Sequence, residues 1–204
     1  MELLEAIGES TTLYEEVIKD ALTKRILIFN DVVDAAVVEN YIYYIIKWNT
    51  EDADKPSDKR QPIRMLINSP GGDLTSCMGL IDVIIASKTP VWAFGVGEVA
   101  SAAYYIYIAC DRRFAFVNTI FLQHDGQLEV QNSSGKVKDT MNFIDRLDER
   151  IKNYVISKTN ITSEDYDKMY EKEIFMFADD AKERGIVDQI IGIDIDFDIF
   201  NGVV

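Results

Sequence analysis

Apolar residues recur along this chain at two spacings, helical and strand-like, and the switches between them lay out its elements. Thr12 and Glu15 stand at the spacing of a capping box, and Val17, Ile18, Ala21 and Leu22 follow at helical intervals, predicting a helix over 12–23. Arg25 to Phe29 reads as a short buried strand. Val33, Val37, Tyr41, Tyr44, Ile45 and Trp48 then mark one face of a longer helix. The stretch Asn49 to Gln61 is charged, contains Pro56 and has no period, which predicts a surface loop tolerant of substitution.

The next segment repeats one pattern twice: an apolar strand, a glycine turn, then a helix. The first copy runs Met65-Leu-Ile-Asn-Ser-Pro-Gly-Gly72 into a helix whose inner face carries Cys77, Leu80, Ile81, Ile84 and Ile85. The second runs Val91-Trp-Ala-Phe-Gly-Val-Gly97 into a helix that starts near Ala100 and continues through Cys110. Strands joined by crossover helices imply an α/β fold with a mostly parallel, buried sheet, in which functional groups gather at the strand ends facing helix N-termini. Ile120 to Gln123 forms another strand and delivers His124. The polar run Asp125 to Gly135 predicts a hairpin or projecting loop, and Met141, Ile144, Leu147, Ile151 and Val155 form the core-facing stripe of a long helix ending near Lys158. A short helix after Thr162, a strand at Ile174 to Phe177, a helix closed by Gly185 and an alternating Ile193 to Ile199 segment complete the chain.

Composition narrows what such a fold could do. The 204 residues are 48% hydrophobic and 27% charged, enough for one compact domain with a substantial core over 1–204, with 1–11 as a flexible N-terminal segment and 193–204 as an acidic tail. A net charge of -14 repels phosphate backbones and anionic membranes, which argues against a nucleic-acid or membrane partner. The longest nearly uncharged apolar stretch, Val99 to Cys110, is too short to cross a bilayer, and no basic segment followed by an apolar one opens the sequence, so a cytoplasmic location is expected. Cys77 and Cys110 fall inside apolar helical patterns without metal-ligand spacing, which fits buried reduced thiols, and no metal or cofactor motif is found. His124 is the sole histidine, so any chemistry that needs an imidazole must use it.

A serine becomes nucleophilic when a base takes its proton and donors stabilise the charge that develops on the substrate oxygen. Ser101, in the first turn of a helix, would sit at that helix's positive end, with the free amide of Ala102 beside it. Gly97, Ala100, Ala102 and Ala103 leave room for a substrate backbone. Val99 and Ala103 stand where the Gly-x-Ser-x-Gly elbow of α/β-hydrolases has glycines, which excludes that motif. Gly71 and Gly72 make a second turn with exposed amides. Taken singly, each feature has a plainer reading: Pro-Gly-Gly as a tight turn, a serine as a helix cap, a histidine as a hydrogen-bonded core residue. Composition and periodicity do not choose between the two.

The combination in chain order does choose. Asn68-Ser-Pro-Gly-Gly72, Gly97-Glu-Val-Ala-Ser-Ala-Ala103, Phe121-Leu-Gln-His124 and Ala181-Lys-Glu-Arg-Gly-Ile-Val-Asp188 resemble the proteolytic subunit of the Clp protease, from about Leu13 to Ile191. The resemblance implies the ClpP/crotonase-like fold, a spiral of repeated β-β-α units with a mostly parallel sheet and a protruding helix-strand handle. It implies Ser101 as nucleophile, His124 as general base and then acid, the amides of Gly72 and Ala102 as oxyanion hole, and Gly71 and Gly97 beside the substrate. The family's third member, an aspartate, falls within Glu171-Lys-Glu-Ile-Phe175, where Glu173 is the best placement and Asp167, Asp179 and Asp180 are substitutes. No cofactor is implied. The implied partners are unfolded polypeptide substrates, further copies in a homo-oligomeric ring (a heptamer or stacked rings) and an AAA+ unfoldase ATPase. Met1 to Thr11 does not match the family's N-terminal gate, and Leu128 to Lys138, where rings pair through the handle, is divergent apart from Gly135. Three other readings stand beside the serine endopeptidase: a catalytically silent ring subunit, a phage-type capsid or scaffold maturation protease of the same fold, and a crotonase-type enzyme acting on acyl-CoA thioesters.

Overall fold

The computed structural model describes residues 12–126, 131, 133–170 and 172–201. Strands β1 (Ile26–Phe29), β2 (Ile63–Ser69), β3 (Val91–Ala100), β4 (Arg112–Phe116) and β7 (Gln189–Ile191) lie side by side in that order, all parallel. Two further strands leave this path: β5 (Ile120–Gln123) runs parallel to the end of β3, and β6 (Ile174–Met176) runs antiparallel to β5. The mostly parallel α/β architecture implied by the sequence is thus present. Helices α3 (Leu74–Ala86) and α4 (Ala102–Ala109) are the crossovers of the two repeated units and pack on one face of the sheet. All eight residues of α4 are buried, so it is a core helix, apolar on every side.

Side chains alternate between sheet faces, and the two faces of β3 are buried differently. Val91 and Ala93 join the main core under the helices, whereas Trp92 and Phe94 join Phe114, Ile191 and Ile199 in a second cluster on the opposite face. Phe200 stacks on Phe94 with centroids 4.3 Å apart, so the 3₁₀ turn Phe197–Asn201 covers this aromatic face. The acidic C-terminal segment is therefore a packed element as far as Asn201: its aspartates are exposed while Ile199 is buried.

Several expectations require correction. The capping box at Thr12 and Glu15 forms and starts α1 (Leu13–Thr23) as predicted. The next predicted helix is broken. Val33 pairs with Gly72 in an isolated bridge, a π-helical turn spans Val38–Ile42, and α2 runs Tyr43–Glu51. Ile85 is 52% exposed and belongs to the outer face of α3. The second glycine strand does not stop at Gly97 but continues through Ala100, and α4 begins at Ala102. Strand β4 was hidden because Arg112-Arg-Phe-Ala-Phe116 carries two arginines. Their charges are met by Gln189 and Asp188 and by the ring of Trp92. Only Ile151 and Val155 of the predicted stripe on α5 (Ser134–Lys158) are fully buried. Met141 is 42% exposed and Ile144 and Leu147 are half-buried, because the first half of this 25-residue helix extends away from the main core. Of the loop expected over Asp125 to Gly135, Ser134 and Gly135 belong to α5, and residues 127–130 and 132 lie outside the described residues, as does the flexible segment expected at 1–11.

The supposed tolerant loop at Asn49 to Gln61 holds the clearest correction. Asp52 is fully buried, takes two bonds from the Arg25 guanidinium (3.0 Å for Nη2 to Oδ1) and a third from Lys55 Nζ at 2.8 Å. These cations hold its carboxyl well below the usual carboxylate range, hydrogen bonding by Arg25 being the largest cause. Arg60, also buried, donates to Thr89 and to the Lys55 carbonyl. A carboxylate whose folded pKa is depressed contributes stability above its unfolded pKa of about 4 and loses it as pH falls. Asp52→Asn should therefore cost about 3 kcal/mol at neutral pH, since it removes the buried carboxylate shared by Arg25 and Lys55 and leaves Arg25 with the exposed Glu51 at 3.6 Å. In chemical denaturation the gap between variant and wild type should narrow below about pH 4. A gap independent of pH would show that the ion pair is not its source.

Candidate active site

The site begins where β3 ends. Between Ile67↔Gly95 and Ser69↔Val99 the register advances two residues on β2 and four on β3, a bulge that includes Gly97. Gly97 has φ +65°, and a Cβ there would meet Asn68 Oδ1 at 2.6 Å. That oxygen accepts from the Glu98 amide at 3.0 Å, and Asn68 Nδ2 donates to Asn30 at 2.7 Å. The space left open at Gly97 is occupied by the Asn68 side chain, so this glycine shapes the strand from within.

Past the bulge, β3 pairs with β5 through Glu98↔Ile120, Val99↔Phe121 and Ala100↔Leu122. Ser101 follows directly and takes φ +53°, ψ -123°, a conformation that costs a non-glycine residue about 1–3 kcal/mol. Its amide donates to Leu122 O at 2.9 Å, and its carbonyl accepts from Tyr104 at 3.0 Å as α4 starts. The helix-start placement expected for Ser101 is observed, with a strain that no periodicity could reveal. Ala102 occupies the first position of α4. Among the described residues neither its amide nor that of Gly72 meets a protein acceptor, which leaves both as donors.

Gly71 and Gly72 close the other side. A Cβ at Gly71 would lie 2.6 Å from Ala100 O and 2.7 Å from Ser101 Cβ, so the β2–α3 turn touches the serine elbow with no room for a side chain. Gly72 abuts Val33, whose amide donates to Gly71 O at 2.8 Å and whose carbonyl accepts from Asp73 at 2.7 Å. Asp73 then caps α3 by accepting from Ser76 at 2.7 Å. The turn is fixed from both sides.

His124 is the first residue beyond β5 and is half-buried, beside a small cavity it lines with Gln123, Asp125, Tyr166, Met169 and Tyr170. Its carbonyl accepts from the Tyr105 hydroxyl at 3.2 Å. Ser101 and His124 thus end two paired strands, and no direct side-chain hydrogen bond joins them here. Strand β6 opposes β5 with Gln123↔Ile174, and one further step of that register sets Glu173 opposite His124. Glu173 is exposed and makes no bond to the histidine. The substitutes are placed less favourably: Asp167 pairs with Lys152 at 2.6 Å, and Asp179 and Asp180 are exposed in the first turn of α7 (Ala178–Glu183). Asp148 on α5 lies near the cavity, its carboxyl raised above the ordinary range by burial and then by Asp145 and Asp125.

Both cysteines are buried free thiols, pushed far above the ordinary thiol range chiefly by burial, so neither offers a thiolate. Cys77 donates to Ala102 O at 3.2 Å and serves packing beneath α4. Among the described residues no cluster of metal-ligating side chains is found, and no helix is long and apolar enough to cross a membrane. The segment Ala181 to Asp188 has a structural part: Asp188 accepts from the Arg113 amide at 2.7 Å and from its guanidinium at 2.8 Å, tying the end of α7 to β4.

The mostly parallel α/β sheet, with the glycine turn, Ser101 and His124 at its strand ends, has the fold that the Clp protease resemblance implies. The Clp protease family matches residues 9–194, and the chain belongs to that family. It is 31% identical to the ATP-dependent Clp protease proteolytic subunit 3 of Rhizobium johnstonii over 133 residues, 64% of this chain and 69% of that protein. To proteolytic subunit 2 of Pseudomonas aeruginosa it is 33% identical over 132 residues, 64% of this chain and 66% of that protein.

Gly71→Ala drives a methyl group into Ala100 O and Ser101 Cβ at a positive φ, so calorimetry should show a loss of about 2 kcal/mol or more. Gly79→Ala on α3, where an added Cβ meets nothing within 4 Å, should instead stabilise by about 0.5–1 kcal/mol. Equal behaviour of the two variants would refute the close approach at the serine elbow.

Proposed function

We propose that the chain is a serine endopeptidase that hydrolyses unfolded polypeptide through an acyl-enzyme, inside a homo-oligomeric ring chamber that excludes folded proteins. The observation that carries this reading is the strained Ser101 at the junction of β3 and α4, abutting Gly71 and paired through its strand with the segment that ends in His124. Strain held at one residue by surrounding packing is a mark of a functional position.

In this reading Ser101 Oγ attacks the scissile carbonyl and passes its proton to the His124 ring. The oxyanion takes hydrogen bonds from the amides of Gly72 and Ala102, neither of which meets a protein acceptor among the described residues. His124 then protonates the departing amine, and water, activated by the same ring, releases the acyl group. Glu173 orients the imidazole from across the β5–β6 pair, closing its distance when substrate organises the site, since catalytic hydrogen bonds in unliganded enzymes are often long. Family membership supports the ring and an ATPase that feeds it.

A second reading, a silent ring subunit, is favoured by the exposed Glu173 without a bond to His124. Intact mass after fluorophosphonate treatment separates the two, since such a probe reports an activated serine without knowledge of the substrate. One adduct is expected on the wild type and none on Ser101→Ala or His124→Ala. Glu173→Gln should label at least about tenfold more slowly. A folded, oligomeric wild type that takes no adduct would establish the silent subunit. Acyl-CoA turnover that survives Ser101→Ala would instead point to crotonase-type chemistry. A particle near one subunit's mass in solution would overturn the chamber while leaving the site assignment standing.

A further inference from the structure

Helix α4 begins directly after the serine, and Tyr105, one turn in, reaches the carbonyl of the histidine. The Tyr105 amide donates to Ser101 O at 3.4 Å, which sets Tyr105 one turn along α4 from the serine. Two bonds run from this first turn to the segment that carries His124. The Ser101 amide donates to Leu122 O at 2.9 Å, and the Tyr105 hydroxyl donates to His124 O at 3.2 Å. The first bond lies within the strand pairing. The second lies beyond it, because β5 ends at Gln123 and its pairing with β6 ends at Gln123↔Ile174. Among the described residues nothing else holds the His124 backbone.

We propose that Tyr105 is a positioning residue for His124: its hydroxyl clamps the histidine's carbonyl to the serine's own helix and so fixes the distance between nucleophile and base. Tyr105 is suited to the task. It is 7% exposed and packs edge-on against Tyr104, with centroids 5.5 Å apart. Its own carbonyl accepts from Tyr154 of α5 at 2.9 Å, which braces this turn from behind. Burial pushes its phenol well above the ordinary range, so the hydroxyl keeps the proton it donates. Tyr166, which lines the histidine's cavity, interacts with the same hydroxyl. A phenylalanine would fill the same space and lose only what the hydroxyl makes, the bond to His124 O and the interaction with Tyr166 beside it.

This inference rests on the serine-histidine reading for its catalytic consequence but not for its geometric one, and the test separates them. Tyr107 supplies the control. It lies on the same helix and is fully buried; its ring packs edge-on against Phe121 of β5, but its hydroxyl donates to Phe114 O on β4 at 2.9 Å, so removing the hydroxyl leaves the β5 contact in place. Tyr105→Phe and Tyr107→Phe each remove one buried hydroxyl and should lower the unfolding temperature comparably. Only Tyr105→Phe should slow fluorophosphonate labelling, by about tenfold, as expected for a small displacement of the base, with peptide kcat reduced and KM unchanged. Because the chain has one histidine, ¹³C labelling of that residue gives a single ring signal, which should shift or broaden in Tyr105→Phe and stay in place in Tyr107→Phe. An unchanged signal in Tyr105→Phe, or equal perturbation by both variants, overturns the proposal. A wild type that takes no adduct while the ring signal still responds to Tyr105→Phe would remove the peptidase reading and leave the clamp.

Discussion

Strand β3 must change partners half-way along the same edge, and most of the site depends on how it does so. Its first half pairs with β4 as far as Gly95↔Ala115, and its second half pairs with β5 from Glu98↔Ile120. A backbone carbonyl at such a switch would be buried without a ladder partner, at a cost of about 1–3 kcal/mol. Thr119, in the turn between β4 and β5, supplies the missing bond. Its hydroxyl, 1% exposed, donates to Gly95 O at 2.9 Å, and its amide donates to Phe116 O at 2.9 Å to close the turn. The bulge around Gly97, held by Asn68, then bends the strand so that Ser101 emerges beside the end of β5.

That constraint explains how the strained serine persists. A positive φ at one residue costs little against a helix buried along its whole length and a serine amide bonded across to β5. Relaxing Ser101 would move α4, and moving α4 would open the core beneath the sheet, where Cys77, Tyr104 and Tyr107 are packed without exposed surface. Arg25, the other non-glycine residue with positive φ among the described residues, shows the same logic at a structural position. Its guanidinium is fixed on Asp52 while its carbonyl accepts from Arg64 at 2.9 Å as β1 enters the sheet.

Elements with a strong period and consistent flanks were legible from sequence: the capped α1, the glycine-ended β2, and the residues Cys77 to Ile84 that turn inward on α3. The misses share a cause, tertiary contacts that overrule local pattern. Arg112 and Arg113 disguise β4 because their charges find partners only in the fold. Asp52 and Arg60 look like solvated loop residues until Arg25 and Thr89 are brought to them from elsewhere in the chain. At the site, residue types and order indicated Ser101, His124 and the glycine turn. The strain at Ser101, the filling of the Gly97 gap by Asn68 and the Tyr105 contact depend on backbone angles and on distances between elements, which no one-dimensional spacing encodes.

The topology also accounts for why the candidate acid comes from where it does. In a parallel sheet all strands point one way, so the segments that follow β2, β3 and β5 gather at one end, and these are Gly71–Gly72, Ser101 and His124. The opposite face of the sheet is closed by Ile199 and Phe200, and the helical face by α3 and α4, which leaves that end as the place where a substrate can reach them. A carboxylate needed at the same end can follow a parallel strand or precede an antiparallel one. Among the described strands β6 is the antiparallel member, and Glu173 immediately precedes it. Its position opposite His124 is thus a consequence of strand direction, and in the proposed mechanism the longer reach of a glutamate acts from that fixed starting point.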